Sequence, residues 1–122
     1  FLSAAECDAR YLNIELNPNL CLYFGFGTGR VDRMRLLLPG GGKTLNACCE
    51  RTATGWDVAY ELPFKLLQLF FPDFSPSGKI RGNFYKCGDL TMQEHYLAWN
   101  RVYAERPDFH LPKYFGALIF PE

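Results

Sequence analysis

Tyr11-Leu-Asn-Ile-Glu-Leu16, followed by Asn17-Pro18-Asn19 and Leu20-Cys-Leu-Tyr-Phe-Gly-Phe26, is the stretch that decides the fold. Its opening residues alternate. Leu12, Ile14 and Leu16 share one face of an extended chain, and Tyr11, Asn13 and Glu15 share the other. Asn17-Pro18-Asn19 supplies turn chemistry, and residues 20–26 run back as a second strand. The segment reads as a β-hairpin.

Working outward, the same grammar continues. Gly25-Phe-Gly-Thr-Gly29 and Pro39-Gly-Gly-Gly42 bracket another strand over 31–38. Residues 55–62 form a strand with Trp56, Val58, Tyr60 and Leu62 on one face, which places Trp56 in the core. Pro63 then stands at the first helical position, and residues 64–71 give about two turns of helix closed by Pro72. Residues 80–87 make a strand in which Ile80, Gly82 and Phe84 oppose Arg81, Asn83 and Tyr85. Residues 116–120 are the last strand. Short strands, one short helix and no βαβ alternation predict an all-β, antiparallel β-sandwich.

The chain has 122 residues, enough for one domain over 1–122 and no second core. Aromatic residues reach 16%, led by 11 Phe and 7 Tyr. The 13 basic and 13 acidic side chains cancel, which leaves no cationic excess for phosphate neutralisation and excludes a nucleic-acid partner of that type. Apolar runs such as 36–39 and 66–72 are far below the ~20 residues a helix needs to cross hydrocarbon, so no membrane partner is expected. Five Cys (Cys7, Cys21, Cys48, Cys49, Cys87) lack zinc-type spacing and read as reduced thiols, with one disulfide as the alternative. That odd number and the lack of a visible secretory signal favour a cytoplasmic setting, with an extracellular one if the N-terminus is missing. Phe1-Leu-Ser-Ala-Ala-Glu6 reads as a start inside a strand of a longer protein.

Several motifs fail on inspection. Gly42-Lys43-Thr44 ends like a phosphate loop, but Leu37 occupies the place of its first glycine and no helix follows, so it reads as a flexible turn. Gly25-x-Gly27-x-Gly29 opens no helix and is not a dinucleotide fingerprint; its glycines allow a bulge or tight turn, and Arg30 points from that turn toward a site. His95 and His110 have no third metal ligand at suitable spacing, and no metal or cofactor is assigned. Ser3, Ser75 and Ser77 lie in no nucleophile-elbow pattern. Of the carboxylates Glu15, Glu61, Asp89, Glu94 and Asp108, no two are singled out as a glycosidase pair.

The last third is different. Tyr96-Leu-Ala-Trp99-Asn and Pro107-Asp-Phe-His110-Leu-Pro-Lys-Tyr114-Phe-Gly116 interleave aromatic rings with Asn, Asp and His in a segment without strand or helix periodicity. Ordering so long a loop is entropically costly, and such loops usually bind something. Sugars suit it: their C–H faces stack on rings while their hydroxyls take hydrogen bonds. Trp99, with Tyr11 or Tyr85, would stack on a pyranose, and Asn13, Arg81, Asn83, Asp108 and His110 would hold its hydroxyls. The competing readings are a solvated sheet face with a cross-strand Glu–Arg pair, a core Trp99, and a His110 hydrogen-bonded to backbone.

The segments at 11–18, 25–30, 55–63 and 81–89, then His95-Tyr-Leu-Ala-Trp99, Pro107-Asp-Phe-His110 and Tyr114-Phe-Gly116, resemble a family 9-like carbohydrate-binding module, closest to the bacterial, non-xylanase branch. The resemblance spans nearly the whole chain. It implies an immunoglobulin-like β-sandwich binding the ends of glycan chains, with the sugar between two tryptophans. Trp99 matches the one in the C-terminal loop; the other belongs to N-terminal strands that this chain lacks. The expectation is therefore an N-terminally truncated, non-catalytic module with an oligo- or polysaccharide partner, and with exposed strand edges open to homodimerisation. Calcium sites of the family draw on regions without a match here. The alternatives are a glycan-processing hydrolase, or a subunit of one, in carbohydrate catabolism, and a haem module pairing Met34 with His110.

Overall fold

A computed structural model of the chain describes residues 1–4 and 9–120. Its strands are β1 (Leu2–Ser3), β2 (Tyr11–Leu16), β3 (Leu22–Gly27), β4 (Arg33–Leu36), β5 (Cys48–Arg51), β6 (Trp56–Ala59), β7 (Lys79–Gly82), β8 (Tyr85–Gly88), β9 (His95–Ala98) and β10 (Gly116–Ile119). One α-helix, α1 (Phe64–Phe70), lies between β6 and β7. The principal sheet is six-stranded in the order β10-β7-β1-β2-β3-β4, and β5-β6 and β8-β9 form two-stranded sheets. Every strand pair is antiparallel. This is the expected all-β class with one short helix.

The deciding hairpin pairs Tyr11 with Gly27 through to Leu16 with Leu22. Its turn is built by Asn17, whose side-chain oxygen accepts from the backbone N–H of Asn19 (2.9 Å) and Cys21 (3.0 Å). Leu20 takes a left-handed conformation (φ 60°) there, which is why β3 starts at Leu22 rather than Leu20.

The period-2 alternation puts Leu12 beside Phe26 and Ile14 beside Phe24 on one face. Leu67, Phe71 and Phe74, from α1 and its exit, and Leu45, from a short 3-10 turn at Gly41–Leu45, cover that face with Ile80 to form the core. Phe26 is the hinge of the packing, 4.9 Å from the Phe70 ring and edge-on to Phe71 at 5.6 Å. Each such side chain contributes about 1.5–3 kcal/mol on burial. Pro63 sits one position before the helix instead of inside it, and its carbonyl accepts the first helical bonds from Leu66 (2.9 Å) and Leu67 (3.2 Å). Pro72 ends α1, since it lacks an N–H and drives the residue before it out of the α region.

Several expectations need correction. Residues 80–87 are two strands in different sheets, because Asn83 breaks the ladder; Phe84 is therefore exposed rather than aligned with Ile80 and Gly82. Trp56 is 38% exposed, for the β5-β6 hairpin stands apart from the main sheet. Residues 95–98, read as loop, are β9, and β5 had no counterpart in the sequence reading. Met34 pairs with Phe26 across the core side of β4, while His110 lies on the opposite face with Arg33, so the two cannot flank one haem. Cys21, Cys48, Cys49 and Cys87 are unpaired; Cys7 falls outside the described residues. No helix among the described residues is long and apolar enough to cross a membrane.

Candidate functional site

The β8-β9 ladder pairs Tyr85 with Ala98 and Lys86 with Leu97. It gains one more rung where the Trp99 N–H donates to the Phe84 carbonyl (2.9 Å). Trp99 and Phe84 thus stand side by side at the open end of the hairpin, edge to face at 5.8 Å. Both remain more than half exposed, at 54% and 58%. Trp99 also approaches Gly116 closely: a Cβ there would lie 3.0 Å from the indole Cζ3 and collide with the Asn100 side chain. An aromatic pair left open to solvent is the exception for side chains that are buried on average.

Past Trp99 the chain runs extended and folds back against β9. Between them lies a cleft of about 390 Å³, lined by Tyr96, Ala98 and Trp99 on one side and by Arg101, Glu105, Asp108 and Phe109 on the other. Aromatic contacts hold the returning segment in place. Phe109 stacks on Tyr85 at 4.3 Å and meets Tyr96 edge-on at 6.2 Å. Tyr114 donates to the Tyr103 carbonyl (2.9 Å), and the Arg101 guanidinium lies 4.9 Å over the Tyr103 ring.

Beneath this segment the polar row of β2 is closed off. Tyr11 and Asn13 are both 0% exposed, because residues 100–115 cover the face of the sheet opposite the core. Gly27 stands opposite Tyr11, and Gly25 opposite Asn13. With no side chains on β3 in between, Arg33 reaches across from β4. Its guanidinium lies 5.3 Å over the Tyr11 ring. It donates to the Tyr11 hydroxyl (2.8 Å), His110 Nδ1 (3.0 Å), the Gly29 carbonyl (2.8 Å) and the Asn13 side-chain oxygen. Asn13 passes the contact on to Glu15 at 3.0 Å.

The tautomer of His110 follows from this geometry. A guanidinium only donates, and the Tyr11 hydroxyl, already accepting from Arg33, donates to the same Nδ1 at 2.8 Å. Nδ1 is therefore bare and the imidazole is neutral, with its proton on Nε2. Burial, followed by the Arg33 and Arg30 charges, pushes His110 down to about 4. Burial likewise raises the Tyr11 phenol.

Asp108 joins this network to the cleft. Its Oδ1 accepts from the His110 backbone N–H (2.9 Å) and from Arg30 (3.2 Å). Partial burial works to raise its carboxyl, but these two donors outweigh it and hold the group below the usual carboxylate range. Arg30, itself largely exposed, reaches from the glycine-rich turn to Asp108.

Of the residues singled out by sequence, Trp99 and Asp108 share the cleft, and Tyr11, Asn13 and His110 meet underneath. Arg81 donates to the Pro112 carbonyl (2.6 Å), under the same segment. Asn83 is 1% exposed and bonded to the backbone of Asn100. Tyr85 is partly buried; its hydroxyl has no hydrogen-bond partner among the described residues, and burial pushes the phenol up to about 12. Sequence reasoning missed Arg33 and Phe84. The glycines facing Tyr11 and Asn13 were the available signal for Arg33. Phe84 had no signal, since its exposure depends on where the strand breaks. Among the described residues no group of three or more His, Cys, Asp or Glu is arranged to hold a metal.

Comparison with known proteins points the same way. The sequence matches the profile of Carbohydrate-binding family 9 over residues 1–120. No curated protein matches it. Among solved structures it is similar to a proposed carbohydrate-binding protein from Bacteroides uniformis, at 27% identity and a TM-score of 0.67. The alignment covers 95% of this chain and 56% of that one, so the chain spans little more than half of its structural relative.

Proposed function

The chain belongs to carbohydrate-binding family 9, and we propose that it acts as a non-catalytic module that holds a saccharide against Trp99. The observation that carries this reading is the half-exposed indole at the wall of a cleft whose other side sets the charged groups of Arg101, Glu105, Arg106 and Asp108 among apolar residues such as Val102 and Phe109. A pyranose presents an apolar C–H face that stacks on such a ring, and its hydroxyls need donors and acceptors beside it. Asp108 accepts hydroxyl protons on Oδ2, because Oδ1 already takes the His110 and Arg30 donors. Arg101 and Glu105, both exposed on the far wall, contact the ring from the solvent side.

The other residues act from beneath. Tyr11 and Asn13 have no open surface, and with Arg33 and His110 they brace the segment that carries Asp108. Arg81 supports the same segment at Pro112, and Tyr85 supports it through the Phe109 ring. A cleft of about 390 Å³ lies at the small end of the ~300–1,000 Å³ found for ligand sites, which suits a mono- or disaccharide unit. A single stacked face with a few solvent-shared hydrogen bonds gives dissociation constants of roughly micromolar to millimolar.

Isothermal titration with mono- and oligosaccharides of glucose, galactose, mannose and xylose tests the reading. Saturable heat with at least one sugar, and no release of reducing ends from oligosaccharides on incubation, is the expected result. Absence of heat across the set at millimolar concentration overturns it.

A further inference from the structure

A stacking platform helps binding only if its orientation is fixed before the sugar arrives. β9 ends at Ala98, so Trp99 and Asn100 lie beyond regular pairing except for the single rung to Phe84. The buried side chain at the break between β7 and β8 supplies what the ladder no longer provides. Asn83 Nδ2 donates to the carbonyls of Asn100 (2.9 Å) and Tyr114 (3.4 Å), while Oδ1 accepts from the N–H groups of Asn100 (2.8 Å) and Phe84 (3.0 Å). The amide thus engages both backbone groups of Asn100, as a neighbouring strand would. Its own N–H is also taken, donating to the Phe1 carbonyl at 2.9 Å.

We propose that Asn83 is the positioning residue of the saccharide site: its side chain clamps the backbone of Asn100 and Phe84 and thereby fixes the angle of the Trp99–Phe84 aromatic pair over the cleft. This rests on reading Trp99 as the stacking surface. The chemistry selects asparagine. Aspartate keeps the shape and the acceptor but offers no donor to the two carbonyls when ionised; serine cannot reach both groups of Asn100; and glutamine is one methylene too long. Of the peptide partners, Phe84 and Asn100 are the residues that frame the platform, so loosening the clamp frees both rings at once. Asn83 touches no sugar in this scheme.

The test uses the full chain carrying Trp56→Phe, which leaves Trp99 as the sole tryptophan; Trp56 lies on the separate β5-β6 hairpin. Acrylamide quenching and emission anisotropy then report on Trp99 directly. At about pH 8, Asn83→Asp should raise quenching roughly twofold and lower anisotropy with the far-ultraviolet circular dichroism unchanged, because an ionised carboxylate facing two carbonyls opens the clamp. At about pH 5 the introduced carboxyl, raised by burial against two carbonyls, is protonated and again has an O–H to donate, so both signals should return toward those of the parent at the same pH. The parent is measured at each pH because the Phe1 ammonium, which donates to the Asn83 carbonyl (2.9 Å) and is pushed down to about 6 by burial, titrates between the two values, whereas the Tyr85 phenol beside Asn83, pushed up to about 12, does not. Affinity for the sugar found by titration should weaken roughly tenfold at the higher pH and recover at the lower. A folded Asn83→Asp protein whose Trp99 is as shielded as the parent's at both pH values overturns the proposal, as does mobility that acidification does not reverse. If that variant does not fold at about pH 8, Asn83→Ser takes its place, and a parent-like Trp99 in it is equally fatal. Failure of both variants to fold makes Asn83 a determinant of the whole fold and also overturns a positioning role. If no sugar binds the parent, the stacking reading falls by itself, while quenching still decides whether Asn83 holds Trp99.

Discussion

Replacing Trp99 by alanine removes the surface on which the proposed sugar rests, and the size of the loss follows from geometry. A tryptophan side chain carries about 150–250 Å², and 54% of the residue is exposed, which leaves roughly 80–135 Å² of open indole. A pyranose covers one face, about half of that. At ~25 cal/mol per Å² the stacked area contributes about 1–1.7 kcal/mol, so the dissociation constant should rise about 5- to 20-fold. Isothermal titration with the best sugar of the panel reads this directly. Trp99→Phe should fall between, since a smaller ring retains part of the contact. Trp56→Ala, on the distant hairpin, should leave affinity alone. Trp99 also touches Phe84 and Gly116, so each variant needs a thermal melt to show that it is folded at the titration temperature. A folded Trp99→Ala protein that binds as the parent does, within about twofold, refutes the platform.

Two further outcomes bear on the buried network under the cleft. Arg33→Met keeps bulk but strips donors from Tyr11, Asn13 and His110; at about 1–3 kcal/mol per orphaned buried group it should lower stability by at least ~2 kcal/mol, read as a shift in the urea midpoint at constant slope, and an unchanged midpoint removes Arg33 from its bracing role. His110 has a folded pKa of about 4 against an ordinary value of 6.5, so the unfolded chain takes up its proton first. Stability from this group is complete above about pH 6.5 and is lost as pH falls from there toward about 4. Denaturation midpoints measured across that range should decline in the parent and decline less in His110→Gln; parallel profiles would show that His110 is not held neutral.

The fold was legible wherever one face of a strand is apolar and the other polar. Leu12 and Ile14 read correctly as core-facing because a six-residue alternation leaves little freedom of register. α1 was legible from Pro63 and Pro72, which bound it chemically as well as by pattern. The strands that escaped, β5 and β9, are four residues long and lie in two-stranded sheets. In so short a segment, pairing with a neighbour decides the conformation, and the neighbour is not visible locally. Trp56 escaped for the same reason: alternation says which residues share a face but not whether anything covers it.

The site was legible as a set of residue types and only partly as roles. An Asn or Tyr on the polar side of a strand reads as a ligand contact when that side is taken to face solvent. Here residues 100–115 cover it, and the same side chains turn to one another: Asn13 to Arg33, Tyr11 to His110, Asn83 to Asn100. Burying so many polar groups is tolerable only because each of these pairs is satisfied. The sequence carried a trace of this in the glycines opposite Tyr11 and Asn13, since a strand that omits two side chains makes room for something long. What occupies that room is Arg33, a cation that fixes His110 in one tautomer and, through the His110 backbone N–H, fixes Asp108 at the cleft. The polar residues of the last third and of β2 therefore form one structure. Its upper part lines the exposed cleft and its lower part is closed to solvent; in the proposed reading, the lower part holds the polar wall of that cleft in place before a sugar arrives.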